Sequence, residues 1–219
     1  MTRDDYRRSL KGRRCYVGMD LSSTKDLTAL VAVFPDGDGG YDVLAQFFVP
    51  KDHIKERSDT DRAPYRECVQ LKVLTATPGN QVDYEYVRQT LKDWAAEFQI
   101  REIAFDPWNA TDLVQRLQEQ DGFICVPMRQ GFNSLSAPSK SLERLVLSKA
   151  IHHDGNVLLR WCIGNVVVEL DAAGNIKPSK AKSTERIDGC VALIMGIDRA
   201  EHNAGAKTPT YTFAVIGGR

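Results

Sequence analysis

Three strand-like runs follow one another within the first fifty residues, and they restrict the fold more than any other feature. Residues 15–20 (CYVGMD), 27–34 (LTALVAVF) and 41–49 (YDVLAQFFV) are rich in branched and aromatic side chains, which suit a pleated, buried surface. The segment PDGDGG at 35–40 divides the second run from the third, a dense cluster of turn formers. An antiparallel three-stranded meander is the predicted opening of the domain. The period then changes. Residues 84–98 place Val87, Leu91, Trp94 or Ala95, and Phe98 at helical spacing, with Asp83 in capping position. A strand at 102–106 (EIAFD), a helix at about 110–120 closed by Asp121-Gly122, and a strand at 123–127 (FICVP) follow. Strand, helix and strand with short connections predict a parallel βαβ unit.

The remainder reads less sharply. Residues 131–139 (GFNSLSAPS) look like a loop, 140–150 like a helix and 156–161 (NVLLRW) like a short strand. Residues 165–171 and 176–178 suggest a hairpin around AAGN, and 187–200 (IDGCVALIMGIDRA) form a long final helix. The mixed, charged stretch 50–80 is also readable as a small insertion. Residues 1–14 carry six Arg or Lys against Asp4 and Asp5, the pattern of a solvated linker. The predicted organisation is a linker, or the remnant of a connection to an upstream domain, at 1–14, one α/β domain at 15–202 and a flexible tail at 203–219.

Composition narrows the function classes. Lys+Arg and Asp+Glu both number 29, so the formal net charge is zero. A simple DNA-coating protein would be basic throughout, whereas a nucleic-acid enzyme remains compatible, since acidic metal ligands cancel basic phosphate contacts in the sum. The five Cys include no CxxC pair and several lie in apolar runs, as expected of reduced thiols in a cytosolic protein. No apolar stretch is long enough for a membrane span, and residues 1–14 lack the apolar core of a secretory signal.

Three aspartates stand out by position. Asp20 ends the first strand, Asp106 ends the strand inside the βαβ unit, and Asp188 opens the last helix. Ligands bind outside the carboxyl ends of strands in open α/β sheets. If the strands carrying Asp20 and Asp106 are neighbours, a helix crossing the sheet can bring Asp188 to the same point. Clustered carboxylates repel and need cations; oxygen donors suit Mg²⁺ or Mn²⁺. Two such ions about 3.5–4 Å apart would activate water and stabilise the leaving oxygen in phosphodiester cleavage. Each aspartate alone also has an ordinary reading as a turn or cap residue.

The segments GMDLSSTKDLTALV, IAFDPWNATDLVQRLQ, NSLSAPSKSLERLV, HHDGNVLLRWCIGNVVVELDAAGNIKPSK and RIDGCVALIMGIDR together resemble the nuclease domain of the large terminase subunit of tailed bacteriophages, in order from about Tyr16 to Arg199. HHDGN departs from that family's HGGN-like pattern at Asp154. The resemblance implies an RNase H-like fold: a central mixed β-sheet with helices on both faces. It implies an endonuclease that cuts double-stranded concatemeric DNA during viral genome packaging, in the cytoplasm of an infected bacterium. Asp20, Asp106 and Asp188 would be the catalytic metal ligands for two divalent cations, with Asp26 an accessory acidic residue. Lys180 matches a family lysine and is the first candidate for a DNA-phosphate contact, followed by Lys177, Lys182 and Arg186. Ser139, Lys140 and Arg144 are weaker phosphate candidates. Trp108 is expected to pack and Asn109 to cap the next helix; His152 and His153 read as turn residues or as water-orienting groups. The family's full-length protein carries an N-terminal packaging ATPase and works with a portal protein and a small terminase subunit. No G-x-x-x-x-G-K-[ST] loop occurs in this sequence, so an ATPase role is not expected of it, and no membrane partner is expected. The alternatives are a Holliday-junction-resolvase-like nuclease and a non-catalytic docking module for portal or small terminase. An actin-like phosphate loop at Asp20–Thr24 is disfavoured by the chain's length.

Overall fold

The computed structural model describes residues 2–22, 27–60, 63, 65–108 and 111–204. Asp26, Asn109 and the expected tail from 205 onward lie outside the described residues. β1 (Arg14–Asp20), β2 (Thr28–Pro35) and β3 (Tyr41–Pro50) form the expected antiparallel meander. With β4 (Leu74–Thr77), β5 (Gln99–Phe105), β6 (Cys125–Pro127) and β7 (Ile151–His153) they build a mixed sheet of order β4-β3-β2-β1-β5-β6. β7 pairs with the first residues of β3. β1, β5 and β6 run parallel, as the βαβ reading requires.

Period-two alternation decides what each face of the sheet buries. Cys15, Val17 and Met19 of β1, with Leu30, Ala32 and Phe34 of β2, join one core. Tyr16 of β1, with Ala29, Val31 and Val33 of β2, belongs to the other. Both faces are therefore covered, which is why the strand segments read as nearly continuous apolar runs. On the first face lie α1 (Arg3–Ser9), α4 (Tyr84–Glu97) and α5 (Thr111–Glu119). On the second lie α6 (Phe132–Leu147), α7 (Val157–Gly164) and α8 (Asp188–His202). The open stretch 50–80 forms a 3-10 turn at Lys51–His53, α2 (Ile54–Thr60), α3 (Tyr65–Gln70) and β4. The expected hairpin is present as β8 (Val168–Leu170) and β9 (Ile176–Pro178). All five cysteines are free and buried. Among the described residues no helix is long and apolar enough to cross a membrane.

Three local expectations are corrected. The supposed linker at 1–14 is a docked helix followed by the start of β1. Thr2 and Asp5 form a capping box, Tyr6 and Leu10 are buried, and several of the basic residues are engaged within the protein. Arg7 pairs with Glu97 at 2.9 Å and Arg13 with Asp42 at 2.7 Å. Arg3 donates to Asp154 at 2.8 Å, and also to the carbonyls of Lys72 and Ala45. The supposed loop at 131–139 is the first half of α6 despite Pro138 in its interior. Pro138 sacrifices a helix hydrogen bond at a cost of about 3 kcal/mol. Burial of Leu135, Leu142 and Leu145 offsets that, at about 1.5–3 kcal/mol per side chain. The supposed strand at 156–161 is helix α7, because Asn156 accepts from the backbone N–H groups of Leu158 and Leu159 and so caps a helix.

Arg3 tests the docking of α1. The Asp154 carboxylate has no exposed surface, and removing its partner leaves a buried charge held only by the Asn156 backbone N–H. Arg3→Ala should cost about 2 kcal/mol, read as a lower urea midpoint at unchanged m-value.

Candidate active site

The carboxyl ends of β1, β5 and β6 meet at one edge of the sheet, and there the backbone lines up acidic residues. The parallel register pairs Met19 with Phe105, so Asp20 and Asp106, each one residue further on, leave adjacent strands side by side. α8 reaches the same place from the other end of the chain. Gly189 permits this: a Cβ there would stand 2.7 Å from Cζ of Phe47. Any larger residue would have to displace the buried Phe47 ring, so the glycine lets the first turn of α8 settle against β3 with Asp188 buried beside it.

Asp20 is 2% exposed and Asp188 5% exposed. Lys180 joins them, its Nζ 2.7 Å from Oδ2 of Asp20 and 3.0 Å from Oδ1 of Asp188. Gln130, just past β6, donates from Nε2 to the other Asp20 oxygen at 3.1 Å. Burial pushes the Asp20 carboxyl up to about 6, with the Lys180 ammonium opposing and the Asp188 charge reinforcing the shift. Burial works to lower the Lys180 ammonium, and the two carboxylates outweigh it, so its proton is held more tightly than usual. The lysine arrives on a fixed loop. The Ser179 N–H donates to Val167 O at 2.9 Å, and the Ser179 hydroxyl to Glu169 at 2.6 Å.

The other expected residues are distributed unevenly. Asp106 is half-buried at the right edge, but its Oδ1 accepts from the N–H of Trp108 at 3.1 Å. Among the described residues no group of three His, Cys, Asp or Glu is gathered to hold one ion. Lys177 and Lys182 each lie 3.7 Å from Glu169, and Arg186 is half-buried. Lys140 donates to Gly174 O and Arg144 to the Ser141 hydroxyl, while Ser139 is buried. His152 and His153 pair with Asp42 and Val43, at the end of the sheet away from Asp20. Trp108 does not pack inside; it is 88% exposed. Gln130 was not singled out by the sequence, although its place just beyond a third strand ending at this edge was a usable signal.

This arrangement can hold a cation. Two buried carboxylates already enclose one positive group, the Lys180 ammonium, and a third carboxylate stands on the neighbouring strand end. The donor set is all oxygen, hard and anionic, which fits a divalent ion of the Mg²⁺ or Mn²⁺ kind.

A family model described as "Terminase large subunit, endonuclease domain" matches residues 6–204. The large terminase subunit of Enterobacteria phage HK97 is 38% identical over 190 residues, covering 86% of this chain and 38% of that protein. The chain thus spans well under half the length of that relative. The crystal structure of the HK97 large terminase superposes with a TM-score of 0.79 at 36% identity, over 91% of this chain and 43% of the other. The large terminase nuclease of thermophilic phage G20c, solved with bound magnesium, gives a TM-score of 0.56 at 12% identity, over 85% of this chain and 82% of that one. The fold is that of the terminase nucleases, RNase H-like.

Proposed function

The chain belongs to the family of terminase large-subunit endonuclease domains, and on that premise we propose that it hydrolyses phosphodiester bonds of double-stranded, concatemeric phage DNA at the Asp20–Asp188 edge of the sheet. The observation that carries this reading is the pair of buried carboxylates, from opposite ends of the chain, closed around one cation. Asp20, Asp188 and Asp106 would hold the divalent ions. When bound, such ions place Lewis-acid charge at the attacking and leaving oxygens of an in-line displacement. Gln130 fixes one oxygen of Asp20 and so orients the carboxylate. Lys180 neutralises Asp20 and Asp188 when the ions are absent, preventing two buried like charges from repelling. Once released, its ammonium is on a fixed loop beside the site and can take a backbone phosphate. Lys177 and Lys182, which pair with Glu169 in the free protein, would exchange that carboxylate for backbone phosphates, and Arg186 follows on the same loop. Contacts to phosphate carry no base information, so cutting should show little sequence preference. Delivery to DNA belongs to the packaging assembly, with its ATPase, portal and small subunit, in the host cytoplasm.

The test is digestion of supercoiled plasmid by this chain with Mg²⁺ or Mn²⁺. Nicked and then linear product is expected, abolished by EDTA. An intact plasmid with every divalent ion tried would overturn the assignment. Lys180 provides a separate check by calorimetric titration. Lys180→Met removes the resident competitor, so Mg²⁺ should bind roughly tenfold more tightly than to wild type. The same variant without metal should melt at lower temperature, because Asp20 and Asp188 then face each other unpaired.

A further inference from the structure

We propose that Trp108 and Arg129 grip the DNA at the rim of the site: the indole wedges against a base step beside the scissile phosphate, and the guanidinium takes a flanking phosphate. This deepens the nuclease reading and rests on it. The chain has three tryptophans. Trp94 is 2% exposed, and Trp161 packs edge-on against Tyr65 with ring centroids 6.4 Å apart. Trp108 alone of the three stands in solvent, at 88% exposure.

Its location is set by the chain on both sides. Trp108 lies two residues past Asp106, in a turn closed by the Asp106 side chain, with Pro107 restricting the backbone between them. β5 and β6 are parallel with Phe105 opposite Pro127. The Met128 N–H donates to Phe105 O at 2.8 Å, so the turn carrying Trp108 and the segment carrying Arg129 leave the same end of the sheet from neighbouring strands. Arg129 is exposed, and its neighbour Gln130 touches Asp20. The cations of α1 and those at 177 and 182 are engaged by carboxylates. Arg129 makes no hydrogen bond or ion pair among the described residues, so its charge is available to an outside anion. A large apolar ring and an unspent guanidinium, at the strand ends beside the carboxylates that would meet a phosphodiester, match a duplex: apolar wedges enter base steps and arginines take phosphates.

The experiment uses a fluorescein-labelled duplex with wild type, Trp108→Ala, Trp108→Phe and Arg129→Gln. Cleavage with Mg²⁺ should show KM raised roughly tenfold in Trp108→Ala, with kcat much less affected, and largely restored in Trp108→Phe. Arg129→Gln should reduce the slope of log affinity against log salt by about one. In EDTA, unlabelled duplex should shield the acrylamide-quenchable tryptophan of wild type, and no such shielded fraction should remain in Trp108→Phe. Unchanged KM in Trp108→Ala, or quenching indifferent to duplex, would overturn the proposal and assign the exposed ring to a protein partner instead. A wild-type chain that cuts nothing with any divalent ion would refute the nuclease reading, whereas cleavage with Trp108 left unshielded by duplex would overturn this proposal alone.

Discussion

Asp20→Asn should leave a folded protein that cuts plasmid at least roughly 100-fold more slowly than wild type. Even the outer partners of metal ligands are worth 10–100-fold in typical metal sites, and Asp20 stands inside that shell on the present assignment. The substitution keeps volume and shape and its oxygen can still accept from Gln130, but its Nδ2 then faces the Lys180 ammonium where an oxygen accepted before, so the charge and that hydrogen bond are removed together. Stability should move in the opposite direction to activity. Burial raises the Asp20 carboxyl to about 6 in the folded chain, from an ordinary value of 3.8. The folded state therefore binds a proton that the unfolded state has released between those values. The stability this proton linkage contributes is full below about pH 4 and is lost as pH rises through 6. The asparagine variant does not suffer that loss. In metal-free buffer, urea melts should show it gaining on wild type between pH 4 and pH 7, while plasmid assays at pH 7 show it nearly inert. A variant that cuts at wild-type rate would remove Asp20 from the chemistry altogether.

Gly18→Ala should be the most damaging single methyl in the sheet. A Cβ at position 18 would lie 1.8 Å from the carbonyl oxygen of Ala192 and 2.9 Å from the backbone nitrogen of Gly196. These are backbone atoms of α8 and cannot rotate away. Either the helix lifts off β1 or the strand buckles; overpacking of this kind costs about 3 kcal/mol or more. For a chain of this length that lowers the melting temperature by about 6–12 °C. Because α8 carries Asp188, even the folded fraction should lose the placement of Asp188 beside Asp20 and with it, on the proposed function, activity. The control is Gly37→Ala in the β2–β3 turn, where no atom lies within 4 Å of the added Cβ. That change is also destabilising, through a backbone φ of +96°, but should leave specific activity intact.

The meander, the βαβ unit and the placement of Asp20 and Asp106 at adjacent strand ends were readable from local chemistry. Alternation, turn formers and strand-end logic all act within a few residues. The misread segments were governed by partners far away. Arg3 binds Asp154 across 151 residues, so a helix that locally resembles a solvated tail is docked. Pro138 argues for a loop until the buried face of α6 is seen. That Lys180 bridges to Asp20 was not legible, because nothing local shows that the two lie side by side, 160 residues apart. Of the basic residues near both ends, Arg3, Arg7, Lys177 and Lys182 pair with carboxylates distant from, or outside, their own helix turn. Trp108 has the composition of a core residue, and only the direction of the turn after Asp106 puts it outside.

The depth of α8 also sets a schedule for synthesis. Eleven of its residues are buried, from Asp188 to Ala200, and they cover the sheet face that β1 and β2 present. A nascent chain emerging in order completes its sheet strands before this helix leaves the ribosome. Until then that face is uncovered and Asp20 has neither Lys180 nor Asp188 beside it. Domains generally form as units during translation, and in this one the last helix is both the final cover of the core and the final carboxylate of the site. A product stalled before α8 would therefore hold a sheet with one face bare and Asp20 without its Lys180 and Asp188 neighbours.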